Sequence, residues 1–306
     1  MRNRFIDTLI AAGEGRDDLI FLSGDAGLGV FDGLRRDAPG SFVNMGVAEQ
    51  NMAGFAAGLA MTGHKVVMYN IIPFLLYRCY EQVRNDICYQ GLPVIMAGIG
   101  SGITYAPQGM SHYSIEDLGI AATMPNLAVI SPCDATEARA AAEYALSADQ
   151  PVYVRLAKRG EQAIHTSAVT DISTPLKICS GSDCALLFHG SIAEEVMAAA
   201  ALLEEDGISV MLISVPMVQP LNEDALVDML GPVRLVVTVE EHYEHSGLGS
   251  SLLWVKSEAD PGWRLKTAGI PRQFIHEVYD CKGLRRLFGL DAVQLARKVK
   301  GWLADE

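Results

Sequence analysis

The sequence has little positive charge and no long uninterrupted hydrophobic run. Its 306 residues include 24 Lys and Arg against 37 Asp and Glu, which gives a formal net charge of −13. Without a basic patch there is no electrostatic footprint for a polyanion, so nucleic acid and anionic membranes are not expected as partners. No stretch approaches the roughly 18 apolar residues of a membrane-spanning helix. Half of the residues are hydrophobic, which is enough to bury a sizeable core.

Several motifs of common enzyme classes are also missing. The six cysteines form no C-x-x-C pair, and no histidine stands near them at metal-ligand spacing. We therefore expect reduced, buried thiols, no metal site made by this chain alone, and a cytoplasmic protein. The Gly-rich turns at 24–29, 98–102 and 247–251 match neither a dinucleotide fingerprint nor a P-loop. A G-x-S-x-G nucleophile elbow is absent as well.

The first half of the sequence contains a regular alternation of short apolar runs and longer helical patterns. Strands that alternate with helices of ten or more residues predict crossover connections and a mostly parallel sheet. The predicted strands are 19–23, 42–45, 65–69, 93–97, 127–130 and 152–156, and the helices between them are 47–62, 74–90 and 135–146. Because the helix at 47–62 is rich in Ala and Gly, we expect it to be buried on all sides.

A polar segment separates this first unit from a second one. Residues 161–178 contain Pro175 and show no sustained periodicity, which is typical of a connector. Afterwards the alternation resumes, with strands at 184–189, 209–213 and 235–240 and helices at 192–205 and 223–229. The prediction is an α/β protein of two domains, each a mostly parallel sheet flanked by helices. Their predicted limits are residues 1–165, a linker at 166–178, and residues 179–306.

One carboxylate stands in an unusual position. Glu49 lies in the first turn of the Ala- and Gly-rich helix, where the helix dipole favours a carboxylate and desolvation disfavours it. An ordinary helix-start glutamate is one interpretation. The other is a buried acid that donates a proton to, or shares one with, a ring nitrogen of a bound cofactor.

Four segments carry a family resemblance, in the same order along nearly the whole chain. They are GVAEQNMAGFAAGLAMTG (46–63), FLLYRCYEQVRNDI (74–87), GMSHYSIEDLGI (109–120) and VVTVEEHYEHSGLGSS (236–251). Together they resemble the C-terminal half of transketolases and of deoxyxylulose-phosphate synthases. The resemblance implies the pyrimidine-binding domain of a thiamine diphosphate enzyme, followed by the small C-terminal domain of that family.

The resemblance also implies roles for individual residues. Glu49 would bond N1′ of the aminopyrimidine ring, Phe74 would pack on that ring, and His112 would face the substrate. The cofactor's 4′-imino group removes the C2 proton only when an acid holds N1′, and a carboxyl group in apolar surroundings can stay protonated for this purpose. Core packing of Phe74 and a satisfied loop histidine at position 112 are the alternatives. The further candidates are Asp25 at the cofactor, and Arg78, Gln108, Arg155 and Arg159 at the substrate.

Two departures from the family pattern concern the substrate. Gln108 stands four residues before His112, where the family usually has an Asp that binds sugar hydroxyls, and Gln removes that charge while it still donates and accepts hydrogen bonds. In VRLAKRG, Arg155 and Arg159 lie one residue out of register with the family's substrate-phosphate arginines, so a structural or solvated ion pair is the alternative. Ketose specificity and phosphorylation of the substrate therefore stay open.

Half of the family's active site has no counterpart in this sequence. The family's other domain binds diphosphate and a divalent metal through a GDG motif and a later Asn, whereas SGDAG at 23–27 is followed by no such Asn. The resemblance implies an N-terminal transketolase subunit as partner, which would supply the ligands for Mg²⁺ or Ca²⁺, and a homodimer of this chain within an α2β2 assembly. The implied reaction moves a two-carbon ketol unit from a ketose-like sugar to an aldehyde. The alternatives are the β subunit of a 2-oxo acid dehydrogenase and a non-catalytic paralogue.

Overall fold

Two β-sheets organise the chain in the computed structural model, which describes residues 1–158, 160–231, 233–259 and 261–305. Each sheet is mostly parallel and is flanked by helices, and each forms the centre of one domain. The predicted α/β fold of two domains is therefore confirmed. The alternation of strand and helix in the sequence produces mostly parallel sheets. Each crossover helix carries the chain back to the end of the sheet where the previous strand began, so the next strand runs in the same direction.

The first sheet is built almost entirely from the first half of the chain. Its strands are β1 (Leu19–Ser23), β2 (Phe42–Asn44), β3 (Lys65–Ile71), β4 (Val94–Ile99), β5 (Ala128–Ile130), β6 (Val152–Leu156) and β10 (Met217–Gln219). In the described part of the chain their order is β10-β5-β6-β4-β3-β1-β2. Every pairing is parallel except that of β10 with β5.

Helices cover both faces of this sheet. They are α1 (Arg2–Gly13), α2 (Asp32–Asp37), α3 (Glu49–Met61), α4 (Tyr80–Gln82), α5 (Asp117–Ala121) and α6 (Ala135–Ser147). Successive side chains of β3 enter different cores, because strand side chains alternate between faces. Val66 packs with the α3 side of the sheet, and Val67 packs with the α1 and α6 side.

The helix predicted at 74–90 has an unusual form. Two π-helical turns, Pro73–Tyr77 and Val83–Cys88, stand on either side of the short helix α4. In the first of these turns, the backbone N–H of Arg78 donates to the carbonyl of Pro73 at 3.1 Å, a wider spacing than in an α-helix. Such turns are frequent at functional sites because they shift side chains out of helical register.

The second sheet belongs to the C-terminal half. Its strands are β7 (Leu176–Cys179), β8 (Cys184–Phe188), β9 (Val210–Ser214), β11 (Leu235–Tyr243) and β12 (Arg264–Ile270), in the order β12-β11-β8-β9-β7. The helices are α7 (Ala193–Glu205), α8 (Glu223–Leu230), α9 (Leu248–Ala259), α10 (Cys281–Leu287) and α11 (Ala292–Ala304). Among the residues that the structure describes, none of the helices has the length and hydrophobicity needed to cross a bilayer.

Three strands were not predicted, namely the short strands β7 and β10 and the seven-residue strand β12. β7 lies at the end of the predicted connector and pairs antiparallel with β9. β10 follows β9 in the chain, yet it leaves the second sheet and pairs antiparallel with β5 of the first. Strands of three or four residues have too little periodicity to be recognised, and the predicted linker at 166–178 overlaps the first of them.

Helix α3 is buried on one face only, so the expectation that it is buried on all sides is wrong for the single chain. Its buried side consists of Glu49, Met52, Ala53, Ala56, Ala57 and Ala60. On the opposite side Phe55 is 44% exposed and Met61 is 60% exposed. A Cβ atom added at Gly54 or Gly58 would meet nothing within 4 Å. The helix therefore presents an apolar face to the outside of the chain.

Candidate active site

A cleft of about 390 Å³ opens at the carboxyl ends of β1, β3 and β4. The loops that follow parallel strands converge at the carboxyl end of a sheet, which is where ligands of open α/β folds bind. Four residues expected at the cofactor or substrate line the cleft, namely Asp25, Glu49, Phe74 and Arg78. Asn70 and Tyr105 line it as well. The structure therefore brings several of the predicted site residues together.

Glu49 is the buried carboxylate of the cleft, at 3% exposure. Arg78 Nη1 donates to both of its oxygens at 2.9 Å, and Asn70 Nδ2 donates to Oε1 at 3.2 Å. A buried carboxylate needs such partners because its desolvation is costly. The helix composition predicts apolar surroundings for this group. In the structure the Glu49 carboxylate is instead paired with the Arg78 guanidinium.

Asn70, which the sequence analysis missed, holds the carboxylate from the strand side. It is 1% exposed at the end of β3, and its Nδ2 also donates to the carbonyl of Gly24 at 3.3 Å. Its Oδ1 accepts from the backbone N–H of Ile71 at 2.8 Å. A Cβ atom at Gly24 would collide with the Asn70 amide, so glycine is required there. The signal in the sequence is a single amide that directly follows the apolar run 66–69.

A row of aromatic rings and cations extends from Glu49 across the cleft. The guanidinium carbon of Arg78 lies 4.4 Å from the centre of the Phe74 ring. Phe74 and His112 meet edge to face with ring centres 5.4 Å apart, and His112 and Tyr105 are 6.0 Å apart. Lys158 Nζ lies 4.7 Å from the centre of the Tyr105 ring. Phe74 and His112, which are distant in sequence, are therefore neighbours, and a lysine stands beyond them.

The surroundings of His112 favour its neutral form. Partial burial and then the nearby charge of Lys158 lower the pKa of the His112 imidazole below its ordinary value. Its Nδ1 lies 2.9 Å from the hydroxyl of Ser111. A neutral imidazole can both donate and accept, so this ring can hold or move a proton at an oxygen of a bound substrate.

Asp25 and Gln108 lie at the rim of this region. Asp25 is exposed, and its side chain and backbone N–H bond the Asn44 amide at 3.4 and 3.2 Å. Its φ of 56° places it in the left-handed region, at the turn that follows β1. Gln108 is exposed at the end of the turn Ala106–Gln108, on the same loop as His112. The roles expected for both residues stay predictions.

Arg155 does not face the cleft. It is 1% exposed, and its Nε donates to Asp117 Oδ2 at 2.7 Å. Its Nη2 donates to the carbonyls of Ser114 and Glu241 at 2.7 and 3.0 Å. The expectation that Arg155 binds a substrate phosphate is therefore wrong, because protein acceptors surround the guanidinium, and the structural ion pair is the interpretation that holds. Arg159 lies outside the described residues.

A Cys–Glu–His group lies in another part of the first domain. Cys133, Glu137 and His165 bring their ligand atoms within 4.8 Å of one another, an arrangement that their spacing in sequence does not predict. The members already bond one another, since Glu137 accepts from the backbone N–H of Cys133 and lies 2.7 Å from His165 Nε2. The group stands at the N-terminus of α6, where the helix dipole disfavours a cation. We assign no metal to it.

The cleft fits the aminopyrimidine end of thiamine diphosphate. Such a ring offers nitrogens along its edge and two flat apolar faces. Glu49 supplies a buried carboxylate for the edge, and Phe74 supplies an aromatic surface beside it. Ile71 and Val47 add apolar lining. Buried polar groups in an otherwise apolar cleft are what fix the orientation of such a ligand.

Two family models match the chain in succession. The pyrimidine-binding domain of transketolase matches residues 1–161, and the transketolase C-terminal domain matches residues 175–295. The chain belongs to the transketolase family. The predicted family and the predicted succession of domains are thereby confirmed, and membership implies dependence on thiamine diphosphate.

Relatives of similar length are themselves single subunits. An apulose-4-phosphate transketolase subunit from Actinobacillus succinogenes is 34% identical over 258 residues, which cover 84% of this chain and 83% of the relative. A 6-deoxy-6-sulfo-D-fructose transketolase subunit from Clostridium sp. (strain MSTE9) is 32% identical over 303 residues, covering 97% and 92%. Among solved structures, a split gene transketolase described as an inactive beta4 tetramer has a TM-score of 0.87 and 28% identity, covering 99% of this chain and 97% of that one. The expectation of a transketolase-type enzyme subunit is confirmed.

Proposed function

We propose that this chain is the C-terminal subunit of a split transketolase that moves a two-carbon ketol unit from a ketose-like sugar to an aldehyde acceptor. The observation that carries the proposal is that Glu49 and Phe74 line one cleft and that the His112 ring lies beside Phe74, with ring centres 5.4 Å apart. A separate N-terminal subunit would bind the diphosphate and its Mg²⁺ or Ca²⁺. We also propose a cytoplasmic location, supported by six cysteines that are all free.

In this proposal, some residues of the chain bind the cofactor ring and another contacts the sugar. Thiamine diphosphate, when bound, supplies the nucleophilic carbon that carries the two-carbon unit. Glu49 holds the N1′ edge of the ring, and Asn70 keeps the Glu49 carboxylate in place through a bond at 3.2 Å. Phe74 covers a ring face and excludes water from it. His112 holds or moves a proton at a hydroxyl or carbonyl oxygen of the sugar.

Lys158 is our candidate for the cation that meets an anionic substrate. It follows the buried Arg155 in the segment VRLAKRG and lies at the far end of the aromatic row from Glu49. The two relatives named above act, by their names, on a sugar phosphate and on a sulfonated sugar. Both groups are anionic and favour a charge-assisted contact. Gln108 would then contact sugar hydroxyls without adding a charge of its own.

Replacing Lys158 with methionine should raise KM for a phosphorylated sugar by about tenfold while kcat changes little, because the lost contact is uniform binding energy. Steady-state kinetics of the assembled enzyme measure this change. The exposed Lys282, in the second domain, provides the matched control Lys282→Met, which should leave KM unchanged. An equal rise in KM for a sugar without an anionic group would contradict the assignment.

The donor substrate that is turned over distinguishes the proposed transketolase from two alternatives, a 2-oxo acid dehydrogenase and a non-catalytic paralogue. A 2-oxo acid dehydrogenase β subunit would use pyruvate, whereas the proposed transketolase would use hydroxypyruvate, once a partner chain is present. The relatives that match over most of their length are transketolase subunits, which supports the second. A non-catalytic paralogue would turn over neither donor. The placement of Glu49 and Phe74 in one cleft, with the His112 ring beside Phe74, argues against that alternative.

The isolated chain should show no transketolase activity, and an N-terminal transketolase subunit should restore it. The expected reason is that the isolated chain can contact only the ring of the cofactor and lacks the charge-assisted bonds to its diphosphate.

The exposed apolar side chains support association, since Leu28 is 97% exposed and Val47 is 74% exposed near the cleft. We propose a homodimer that becomes an α2β2 assembly, and the inactive beta4 tetramer of a relative supports self-association.

Coupled-enzyme assays and light scattering at micromolar concentration test this proposal together. Activity should appear only in the mixture, and the mass of the chain alone should exceed 33.0 kDa. Turnover by the purified chain without a partner would contradict the proposed split site. A mass near that of one chain, unchanged when the partner is added, would contradict both parts of the proposed assembly.

A further inference from the structure

The guanidinium of Arg78 makes the two contacts that the aminopyrimidine ring would make. Its Nη1 donates to both oxygens of Glu49 at 2.9 Å, and its carbon lies 4.4 Å from the centre of the Phe74 ring. A planar guanidinium, like an aminopyrimidine, presents N–H donors at its edge and a flat face to an aromatic ring. One group therefore stands both where the ring edge would bond and where the ring face would stack.

We propose that Arg78 is an internal ligand of the aminopyrimidine site, which occupies the place of the ring in the free chain and rotates away when the cofactor enters. The proposal rests on the proposed function, because it takes Glu49 and Phe74 as the ring's partners. It adds that the free site is closed by the chain's own side chain. Cofactor affinity is then a competition between Arg78 and the ring.

The environment of Arg78 allows this exchange. Its side chain is 43% exposed, whereas its partner Glu49 is 3% exposed, so the guanidinium can leave toward solvent while the carboxylate stays. Among the residues that the structure describes, the only acceptor of a hydrogen bond from this guanidinium is Glu49. The backbone stays fixed meanwhile, because the carbonyl of Arg78 accepts from Gln50 Nε2 at 3.2 Å. Rotation of one side chain therefore opens the site.

In the chain without cofactor, Arg78 also compensates the charge of the buried Glu49 carboxylate. Glu49 is buried before any cofactor arrives, and an unpaired buried carboxylate is strongly unfavourable. Asn70 donates one bond, but among the described residues only Arg78 brings an opposite charge within 2.9 Å. When a ring nitrogen takes over the carboxylate, the pairing with Arg78 is no longer needed. The released guanidinium would then face the open part of the cleft, where the substrate is expected.

The competing explanation is that Arg78 stays on Glu49 permanently and orients it for the ring. The two explanations predict opposite effects of removing the guanidinium. If Arg78 competes with the ring, the apparent dissociation constant equals the intrinsic constant divided by the open fraction, so removal tightens binding. If Arg78 orients Glu49, removal weakens binding.

The experiment measures binding of 4-amino-5-hydroxymethyl-2-methylpyrimidine to the full chain by titration calorimetry. This probe has no diphosphate, so it needs neither a metal nor the partner subunit. With the site about nine-tenths closed in the free chain, Arg78→Ala should bind the probe about tenfold more tightly than the unaltered chain. The matched control is Arg84→Ala, which removes an exposed guanidinium whose hydrogen bond, among the described residues, goes to Asn85. It should leave the affinity unchanged.

Unchanged or weaker binding by Arg78→Ala would overturn the proposal. Thermal unfolding of each variant shows whether it is folded, and Arg78→Lys, which keeps a charge but not the flat fork, should bind with intermediate affinity. If neither the unaltered chain nor Arg78→Ala binds the probe, crystal structures decide. Arg78 on Glu49 in the free chain and away from it with thiamine diphosphate bound supports the proposal. Arg78 in one position in both structures overturns it.

Failure of the proposed function gives a different result. In that case Glu49→Gln and Phe74→Ala would not weaken binding of the probe to the Arg78→Ala background. Loss of binding in those double variants, together with no gain from Arg78→Ala alone, would leave the pyrimidine site intact and reject only the internal ligand.

Discussion

Glu49→Gln is expected to lower turnover of the assembled enzyme by about a hundredfold or more, the loss typical of deleting a positioned proton-transfer group. Glutamine has nearly the shape of glutamate, and its amide oxygen can still accept from Arg78 and Asn70. It cannot, however, hold a ring nitrogen through a carboxyl group. The measurement is kcat with saturating thiamine diphosphate, so that weaker cofactor binding does not enter the comparison.

The control for this variant is Glu81→Gln, at an exposed glutamate in α4, three residues after Arg78 in the sequence. It removes the same charge and should leave kcat unchanged. Both variants should unfold at temperatures close to that of the unaltered chain. A Glu49→Gln enzyme that keeps more than about half of its turnover would show that Glu49 is an ordinary helix-start residue.

Arg155→Met is expected to lower the free energy of unfolding by about 3–5 kcal/mol, the cost of removing one partner from a buried ion pair. Arg155 and Asp117 are 1% and 0% exposed, and the Nε to Oδ2 distance is 2.7 Å. Without the guanidinium, the Tyr153 hydroxyl, which donates to Oδ2 at 2.8 Å, would still bond Asp117 but bring no positive charge. Urea unfolding of the chain measures the loss.

Two further variants separate this effect from a general loss of charge. Arg139→Met breaks the ion pair with Glu143 on the exposed face of α6 and should cost less than about 0.5 kcal/mol. Replacing both members of the buried pair, as in Arg155→Met with Asp117→Leu, should destabilise less than Arg155→Met alone, because no unpaired charge is left inside. A loss below about 1 kcal/mol for Arg155→Met would contradict the structural role.

The pattern of the sequence predicts most of the fold and the centre of the site. Runs such as 66–69 and 184–188 are recognisable because strands buried on both faces are nearly continuous in apolar residues. Glu49 is conspicuous because it is the only charged residue in the segment 46–63. These features are local, so a single segment of sequence contains the whole signal.

The parts that could not be predicted depend on partners far away in the chain. Arg155 looks like a basic residue at the end of a strand, and only the fold shows Asp117, 38 positions earlier, against it. Arg78 and Glu49 are 29 positions apart, so their pairing has no local signature. The burial of α3 is a related case, since small residues permit packing on every side but do not say which sides the chain itself covers.

The antiparallel strand β10 has a consequence for synthesis on the ribosome. The N-terminal sheet receives its last strand from residues 217–219, after β8 and β9 of the other sheet have been made. Until then, β5 is an open edge on the nascent chain, and unpaired edges invite association with other strands. The first unit therefore cannot finish folding as it emerges, and its completion has to wait for the second unit to be under way.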